Sequence, residues 1–441
     1  DMERYSGEPQ FFTPEWLQRI KDFQDGKIPM NTYNGKQYPM TTIVDPANPE
    51  RWASGYAAGN DNVDVFKTIY KPHTFAHEHN LALSGGSDNV SYYLSGNYLE
   101  APGMMKLGGD TQDRIGVTAK INTKITNWLS LSYIGKFIRA RYEQPSSGKG
   151  RWEYRVAAQG WPMVPVYDPN GYIFDSPSPY MEIVQAGREK NINDRMSHQF
   201  NVTLEPIKGW RIIGDYNFNL VENLRHYDRQ QLFIHDVAGN PVMTDGNSYV
   251  DESFNHSNYY NANVYTEYSK EISGHYFKVL VGYQFEMLKY RTLGANRTGL
   301  ILTENPTLNA TSGIDQNGQT VAPGVSGGLA NWATAGYFGR VNYDYKGRYL
   351  FEANLRYDGT SRFQNKNKWN LLPSVSLGWN VARERFWEDY TQYVGNFKIR
   401  GSYGSLGNQN TNAFYPTYSV MGTAMACLLY TSPSPRDMRR S

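Results

Sequence analysis

Apolar and polar residues alternate along much of this 441-residue chain. The pattern is clearest between Gly336 and Trp379, where aromatic and aliphatic residues take every second position and charged or amide residues take those between. Successive side chains leave a β-strand on opposite faces, so a period of two predicts strands. The apolar face of this central hairpin consists of Tyr337, Val341, Tyr343, Tyr345, Tyr349, Phe351, Ala353, Leu355 and Tyr357.

The same alternation predicts about twelve strands, which begin at His77. A Gly-Gly-Ser-Asp-Asn sequence after the first of them is a strong hairpin signal. The predicted strands cover residues 77–85, 90–99, 113–124, 129–137, 196–205, 210–221, 259–270, 275–290, 337–345, 349–358, 372–381 and 397–405.

The connections between these strands are asymmetric. Short turns alternate with long segments, and one intermediate connection, 382–396, contains a predicted short helix. Compact soluble domains rarely contain repeated loops of this length, whereas outer-membrane barrels combine short periplasmic turns with long external loops. Strands of about 9 to 11 residues cross a bilayer when tilted. The predicted class is therefore all-β, as part of a large antiparallel transmembrane β-barrel. The long connections are 100–112, 139–194, 222–258, 291–333 and 359–371.

The two ends of the chain lack this alternation. Residues 1–76 predict an irregular or short-helical segment that precedes or loops over the barrel, with a capped helix from Pro14, a loop over 33–52 and a helical turn within 63–70. Residues 77–420 form the predicted, incomplete barrel. Residues 427–441 resemble translated sequencing-adapter sequence, so we expect a non-native tail and a chain truncated at both ends.

Composition supports this interpretation and narrows the function. Mean hydropathy is −0.64 and no apolar run approaches the ~18 residues of a membrane helix, but alternating barrel strands also average out as polar. The 35 tyrosines and 41 glycines suit a barrel with aromatic girdles. A net charge of +2 gives no reason to expect nucleic acid as a partner. The single cysteine, Cys427, excludes a disulfide framework and a thiolate metal site.

No residue pattern predicts catalysis or a cofactor. His73, His77 and His79 with Glu78 form a candidate metal site, but they lie where a strand begins and no cysteine supports them. The glycines of 401–407 lack the lysine and the helix of a phosphate loop. We therefore expect no catalytic residue, metal or cofactor, and a protein that is not an enzyme.

Two sets of residues are candidates for ligand contact. Aromatic residues in the long segment 139–194 either stack on sugar rings or peptide side chains, or pack the loop against its neighbours. These candidates are Trp152, Trp161, Tyr167 and Tyr172. Polar residues opposite the apolar face either line a passage or pair with a plug inside the barrel. This second set comprises Arg114, Lys120, Arg340, Asn342, Asn354 and Arg356.

Several linked motifs, in order, resemble the SusC/RagA family of TonB-dependent outer-membrane transporters. The resemblance extends over about residues 60–420. The motifs are His-Asn-Leu-Ala-Leu-Ser-Gly-Gly-Ser-Asp at 79–88, Phe-Gly-Arg-Val-Asn-Tyr-Asp-Tyr at 338–345, Arg-Tyr-Asp-Gly-Thr-Ser-Arg-Phe at 356–363, Leu-Pro-Ser-Val-Ser-Leu-Gly-Trp at 372–379 and Phe-Lys-Ile-Arg-Gly-Ser-Tyr-Gly at 397–404.

This resemblance implies a fragment of an importer in the outer membrane of a diderm bacterium. Its barrel would have 22 strands and hold a plug, with outer-membrane lipid around it. The implied partners are a SusD-like surface lipoprotein, which acts as a lid for a glycan oligosaccharide or peptide, and the TonB–ExbB–ExbD energising complex. Two alternatives stay open: a passive porin or adhesion barrel, which would lack a plug, and a soluble β-rich carbohydrate-binding protein or hydrolase, which would need no detergent.

Overall fold

A computed structural model gives the fold. It describes residues 14–27, 30–33, 36–39, 44–45, 47–53, 61, 63–146, 162, 164–174, 179–364, 368–390, 392–409, 411 and 413–417. The tail at 427–441 therefore lies outside the described residues, and the predicted domain boundaries stay predictions. No helix in the described part of the chain is long and apolar enough to cross a membrane.

Eighteen strands and three α-helices make up the described ranges. In chain order these elements are α1 (Pro14–Gln24), β1 (Met30–Tyr33), β2 (Lys36–Pro39), β3 (Val44–Asp45), β4 (Asn48–Trp52), α2 (Val65–Ile69), β5 (His77–Gly86), β6 (Val90–Pro102), β7 (Thr111–Lys124), β8 (Leu129–Pro145), α3 (Tyr180–Gln185), β9 (Arg188–Ile207), β10 (Trp210–Arg229), β11 (Leu232–His235), β12 (Pro241–Asp245), β13 (Tyr249–Ile272), β14 (His275–Thr298), β15 (Gly324–Tyr345), β16 (Tyr349–Thr360), β17 (Trp369–Asn380) and β18 (Lys398–Gly404).

Twelve of these strands form one antiparallel sheet. Each pairs with its neighbour along the chain, except that the β11–β12 hairpin lies between β10 and β13 and forms its own small sheet. β5 and β18 are the two edges. The register shifts steadily: Gly85, beside the first short turn, is linked through successive partners to Trp369, at the far end of β17. Such a stagger is the shear that lets a tilted sheet close into a barrel.

The prediction of about twelve strands is confirmed, but several strands are longer than predicted. β8 continues to Pro145, β10 continues to Arg229 and β14 continues to Thr298. β13 begins earlier than predicted, at Tyr249, and so does β15, at Gly324. The predicted loops 139–194, 222–258 and 291–333 are therefore too long. Charged pairs, not apolar alternation, line the extensions of β8, β10 and β13, which is why the sequence pattern missed them.

Tight turns join the strands at one end of the sheet. Ser273 and Gly274 link β13 to β14 with φ of 52° and 82°. Two positive φ values in succession match the right-handed twist of a hairpin, and glycine adopts them without steric cost. The intermediate connection after β17 contains 3₁₀ turns at Val381–Arg383 and Arg385–Tyr390, close to the helix predicted there.

The two faces of the sheet differ in character. On one, large apolar side chains are exposed; on the other, amide and charged side chains bond to each other. We call these the apolar face and the polar face. Along β14 the apolar face runs from the short turn as Phe277, Val279, Val281, Tyr283, Phe285 and Met287. Its next two positions are Lys289 and Arg291, so the apolar band ends after about 11 residues, the length of a membrane-crossing strand.

The main buried hydrophobic cluster lies at the opposite end, among the long connections. α2 supplies Val65 and Ile69, the β6–β7 loop supplies Met105, and Tyr180 and Ile183 of α3 complete the cluster together with Val166. Asp64 caps α2 by accepting a hydrogen bond from the Lys67 amide at 3.0 Å. α2 is thus packed against the long connections at that end of the sheet.

Within that segment the sequence prediction is correct for the helices and wrong for part of the loop. α1 begins at Pro14 and α2 falls within 63–70, as expected. The stretch 33–52, predicted as loop, contains parts of two small hairpins, β1–β2 and β3–β4. Their strands have only 2 to 5 residues, too few for a period of two to be recognised.

Replacing Gly274 tests the turn geometry. Gly274→Ala places a Cβ at φ 82° and should lower the free energy of unfolding by about 1–2 kcal/mol. Gly214→Ala is the matched control, because its Cβ would meet nothing within 4 Å and its φ is not positive. Denaturant titration of both variants measures the difference. Equal midpoints would show that the β13–β14 turn is not the one described.

Candidate functional site

Three of the predicted polar residues, Arg340, Asn342 and Asn354, meet with Glu352 in one network on the polar face. Arg340 of β15 lies opposite Asn354 of β16 and donates from Nε to its Oδ1 at 2.6 Å. Asn342 lies opposite Glu352 and donates to its Oε2 at 2.6 Å. Asn354 Nδ2 donates to the other Glu352 oxygen at 2.8 Å, which joins the two pairs. Cross-strand partners of this kind fix the side chains in place.

The remaining candidates share that face without joining the network. Arg356 donates to Asp358 at 3.0 Å and reaches across to Gln284 of β14 at 3.2 Å. Arg114 lies on β7, seven strands away from β16, and pairs with Glu78 at 3.2 Å. Lys120 is an exposed neighbour on the same strand. The structure thus places all six on the polar face, while their role in lining a passage stays a prediction.

A broad cleft of about 790 Å³ opens on the polar face near the short turns. Lys278, Lys398 and Arg400 line it together with Glu352 and Asp344. Lys278 forms an ion pair with Glu267 at 2.8 Å, whereas Lys398 and Arg400 have no ion pair among the described residues. Sequence reasoning missed these three cations, although each alternates with apolar positions on its strand. The cleft can hold a polar or acidic protein segment.

The aromatic candidates divide into described and undescribed residues. Trp152 and Trp161 lie outside the described residues. Tyr167 and Tyr172 flank a tight turn in which Asp168 Oδ1 accepts hydrogen bonds from the Asn170 and Tyr172 amides, both at 2.9 Å. The sequence Asp-Pro-Asn-Gly at 168–171 is typical of such a turn.

Tyr172 and Tyr167 differ in their surroundings. The Tyr172 ring stacks on His235 of β11 with centroids 3.6 Å apart and planes at 9°. Asn170 ties the same turn to the Val237 carbonyl at 3.1 Å. One face of Tyr172 is therefore used to hold the loop, as the packing alternative has it. Tyr167 is 51% exposed and remains the better candidate for ligand contact.

The residues weighed as a metal site do not form one. His77 lies 3.5 Å from Glu100, and its ring packs against His79 with centroids 5.2 Å apart. Across the described ranges, no group of three His, Cys, Asp or Glu side chains is placed to hold a metal ion.

These features together define the class of protein to which the chain belongs. One face of a staggered antiparallel sheet exposes an apolar band of membrane-spanning length, the other is polar, and short turns alternate with long connections. This is the architecture of a transmembrane β-barrel. Residues 135–426 match the family model described as "TonB dependent receptor-like, beta-barrel", and the chain belongs to that family.

Curated relatives and solved structures agree with that assignment. The chain is 26% identical over 391 residues to TonB-dependent receptor P3 of Formosa agariphila, which covers 85% of this chain and 37% of that receptor. It is 24% identical over 448 residues to TonB-dependent receptor SusC of Bacteroides thetaiotaomicron, covering 91% and 42%. The RagAB peptide transporter superposes with a TM-score of 0.62 at 18% identity, covering 78% and 38%.

These comparisons confirm the resemblance to the SusC/RagA group and the all-β barrel fold. They also confirm the outer membrane as the location and a family of receptors rather than enzymes. The chain spans well under half the length of the curated relatives it matches. We therefore expect the apolar face to be the lipid-facing side of the sheet and the polar face to be the side turned to the barrel interior.

Ala353 tests the assignment of the two faces. It lies in the apolar band of β16, between Val341 and Val375 on the neighbouring strands. In the intact parent protein, Ala353→Arg should cost about 2–4 kcal/mol, because the cation would face hydrocarbon near the bilayer midplane. Folding titrations into lipid vesicles measure this cost.

The control for Ala353 is Ser376→Arg. Ser376 lies on the polar face, opposite Glu352 and within the cleft, so the new cation gains a partner. We expect a change below about 1 kcal/mol. Equal effects of the two substitutions would contradict the face assignment.

Two loop carboxylates give pH predictions of opposite sign. Burial raises the pKa of Asp168, so its charge destabilises the folded loop above that pKa and the cost disappears below the unfolded value. The side-chain hydrogen bond from Asn240 lowers the pKa of Asp236, which stabilises its turn above the unfolded pKa, an effect lost as pH falls through the folded value.

Asn substitutions separate the two cases. Relative to the parent, Asp168→Asn should protect its turn increasingly as pH rises from about 4 to 7, whereas Asp236→Asn should lose protection over that range. Hydrogen exchange of the Tyr172 and Asn240 amides, each bonded to its Asp, reads out the two turns. A shift of the same sign at both sites would contradict the burial difference.

Proposed function

We propose that the chain is part of an energised outer-membrane importer of an oligomeric nutrient, either a glycan oligosaccharide or a peptide. The observation behind this proposal is the family match over residues 135–426, on a sheet whose interior face is polar. Peptide is the cargo named for the RagAB structure. The oligosaccharide alternative rests on the resemblance of the sequence motifs to the SusC/RagA family.

The interior face supports a mechanism of gating without bond chemistry. The cleft near the short turns exposes Lys398 and Arg400 to the interior without described ion-pair partners. A plug domain with acidic or amide groups would satisfy them, because a cation facing a barrel interior is stabilised by a paired charge. In this proposal, Arg340, Asn342, Asn354 and Arg356 contact the plug at rest and the cargo when the plug moves.

Two partners follow from the proposal. A SusD-like surface lipoprotein would cover the long-loop side, where the loop with Tyr167 and the cluster around α2 are packed together. The TonB–ExbB–ExbD complex would act from the short-turn side and pull on the plug. The packed loops support a stable platform for a lid, because α2, the β6–β7 loop and α3 share one buried cluster.

Uptake by cells that express the intact parent protein tests the proposal. Labelled peptides and oligosaccharides of four to six units should accumulate only in cells with both the receptor and a working TonB system. A matched strain lacking TonB is the control. Uptake that persists without TonB would identify a passive porin and overturn the importer. Uptake of one class alone would identify the cargo.

A further inference from the structure

The lipid-facing side of β14 changes from apolar to positively charged after Met287. Outward residues from Phe277 to Met287 are apolar, and Lys289 and Arg291 take the next two outward positions. Both cations are exposed. They lie one and two outward positions beyond the apolar band, at the boundary nearest the long loops, where the headgroups of the outer leaflet begin.

No carboxylate of the described residues neutralises these two cations. Neither forms an ion pair, although outward-facing acids are present nearby. Glu222 is bonded to His256 at 2.9 Å, Glu252 is bonded to His226 at 2.6 Å, and Asp194 is bonded to Arg139. These three acids therefore have partners within the sheet, whereas Lys289 and Arg291 have no ion pair among the described residues.

Side chains on the two neighbouring strands define the surroundings of Lys289 and Arg291. Lys289 Nζ lies 5.9 Å from the centroid of the Tyr260 ring, which is opposite Met287 on β13. On the other side, β15 places Leu329 opposite Arg291, and the smaller residues Asn331 and Ala333 opposite Lys289 and Met287. These small outward residues leave a shallow strip beside Met287 that leads from the cations into the apolar band.

We propose that Lys289 and Arg291 bind the phosphate of an anionic lipid in the outer leaflet. Arginine presents paired N–H donors that match phosphate geometry, and a nearby lysine adds a point charge. The strip over Ala333 would receive the first part of an acyl chain. The lipid would thereby fix the height of the barrel wall at β13–β15, where these strands leave the hydrocarbon.

Lipid titration of the intact parent protein, followed by native mass spectrometry, tests this site. The probes are phosphatidic acid and diacylglycerol with the same acyl chains, which differ only in the phosphate. Phosphatidic acid should bind more tightly, and its binding should weaken as salt rises. Lys289→Ala/Arg291→Ala should reduce its affinity about 30-fold, the combined effect of two cations at an anionic surface.

The matched control is Lys136→Ala/Arg195→Ala. This pair also consists of one lysine and one arginine, both exposed and without an ion pair among the described residues, but on the polar face. It should leave binding unchanged. An equal loss in both double variants, no preference for phosphatidic acid over diacylglycerol, or equally tight binding of free inorganic phosphate would each overturn the proposal. Unchanged unfolding midpoints verify that the variants are folded.

Discussion

Backbone hydrogen bonding in hydrocarbon is the constraint on which this structure depends. Lipid offers no partner for an N–H or C=O group, so each membrane-spanning strand must satisfy its backbone through its neighbours. β6 to β10 and β13 to β17 do so on both sides, in registers that are nearly unbroken. The one shift within the twelve-stranded sheet, beside Trp210, lies next to a short turn. The alternation of side chains follows directly from this pairing.

The same strands serve two environments. Near the short turns their outward side chains are apolar and face lipid. Farther along, the outward side chains become ion pairs such as Arg139 with Asp194, held by two hydrogen bonds of 2.7 and 2.6 Å. Ladder pairing continues across this boundary, so the barrel wall extends into water as a rigid base. The loops with α2 and α3 are packed upon that base and share one buried cluster.

The sequence was sufficient to predict the strands wherever the surroundings impose an alternation of apolar and polar residues. Lipid on one side and a polar interior on the other force strict alternation, so the strand number and the apolar faces of β15 and β16 could be predicted. Above the membrane, charged pairs replace many of the outward apolar residues, and the strict alternation that marks a strand is lost. That is why β10 was predicted to end at Val221 instead of Arg229. Long-range pairing, not local pattern, extends these strands.

In the candidate site, too, some features could be predicted from the sequence and others depend on the tertiary structure. The polar-face positions of Arg340 and Asn354 followed from their parity in the strand, but their bond to each other depends on register. Stacking of Tyr172 on His235 joins residues 63 positions apart and leaves no local signal. Lys398 and Arg400 were missed because their significance depends on the cleft made by β14 to β18 together.

The most direct test of this account is solvent accessibility along β14. Single cysteines at 279 to 291 in the intact parent protein would carry spin labels in lipid vesicles. Outward positions from Val279 to Met287 should be accessible to oxygen, and inward positions to a water-soluble paramagnetic reagent. From Lys289 onward, the outward positions should be accessible to the water-soluble reagent instead of oxygen. Equal accessibility of both faces, or hydrocarbon contact that continues past Arg291, would contradict the account.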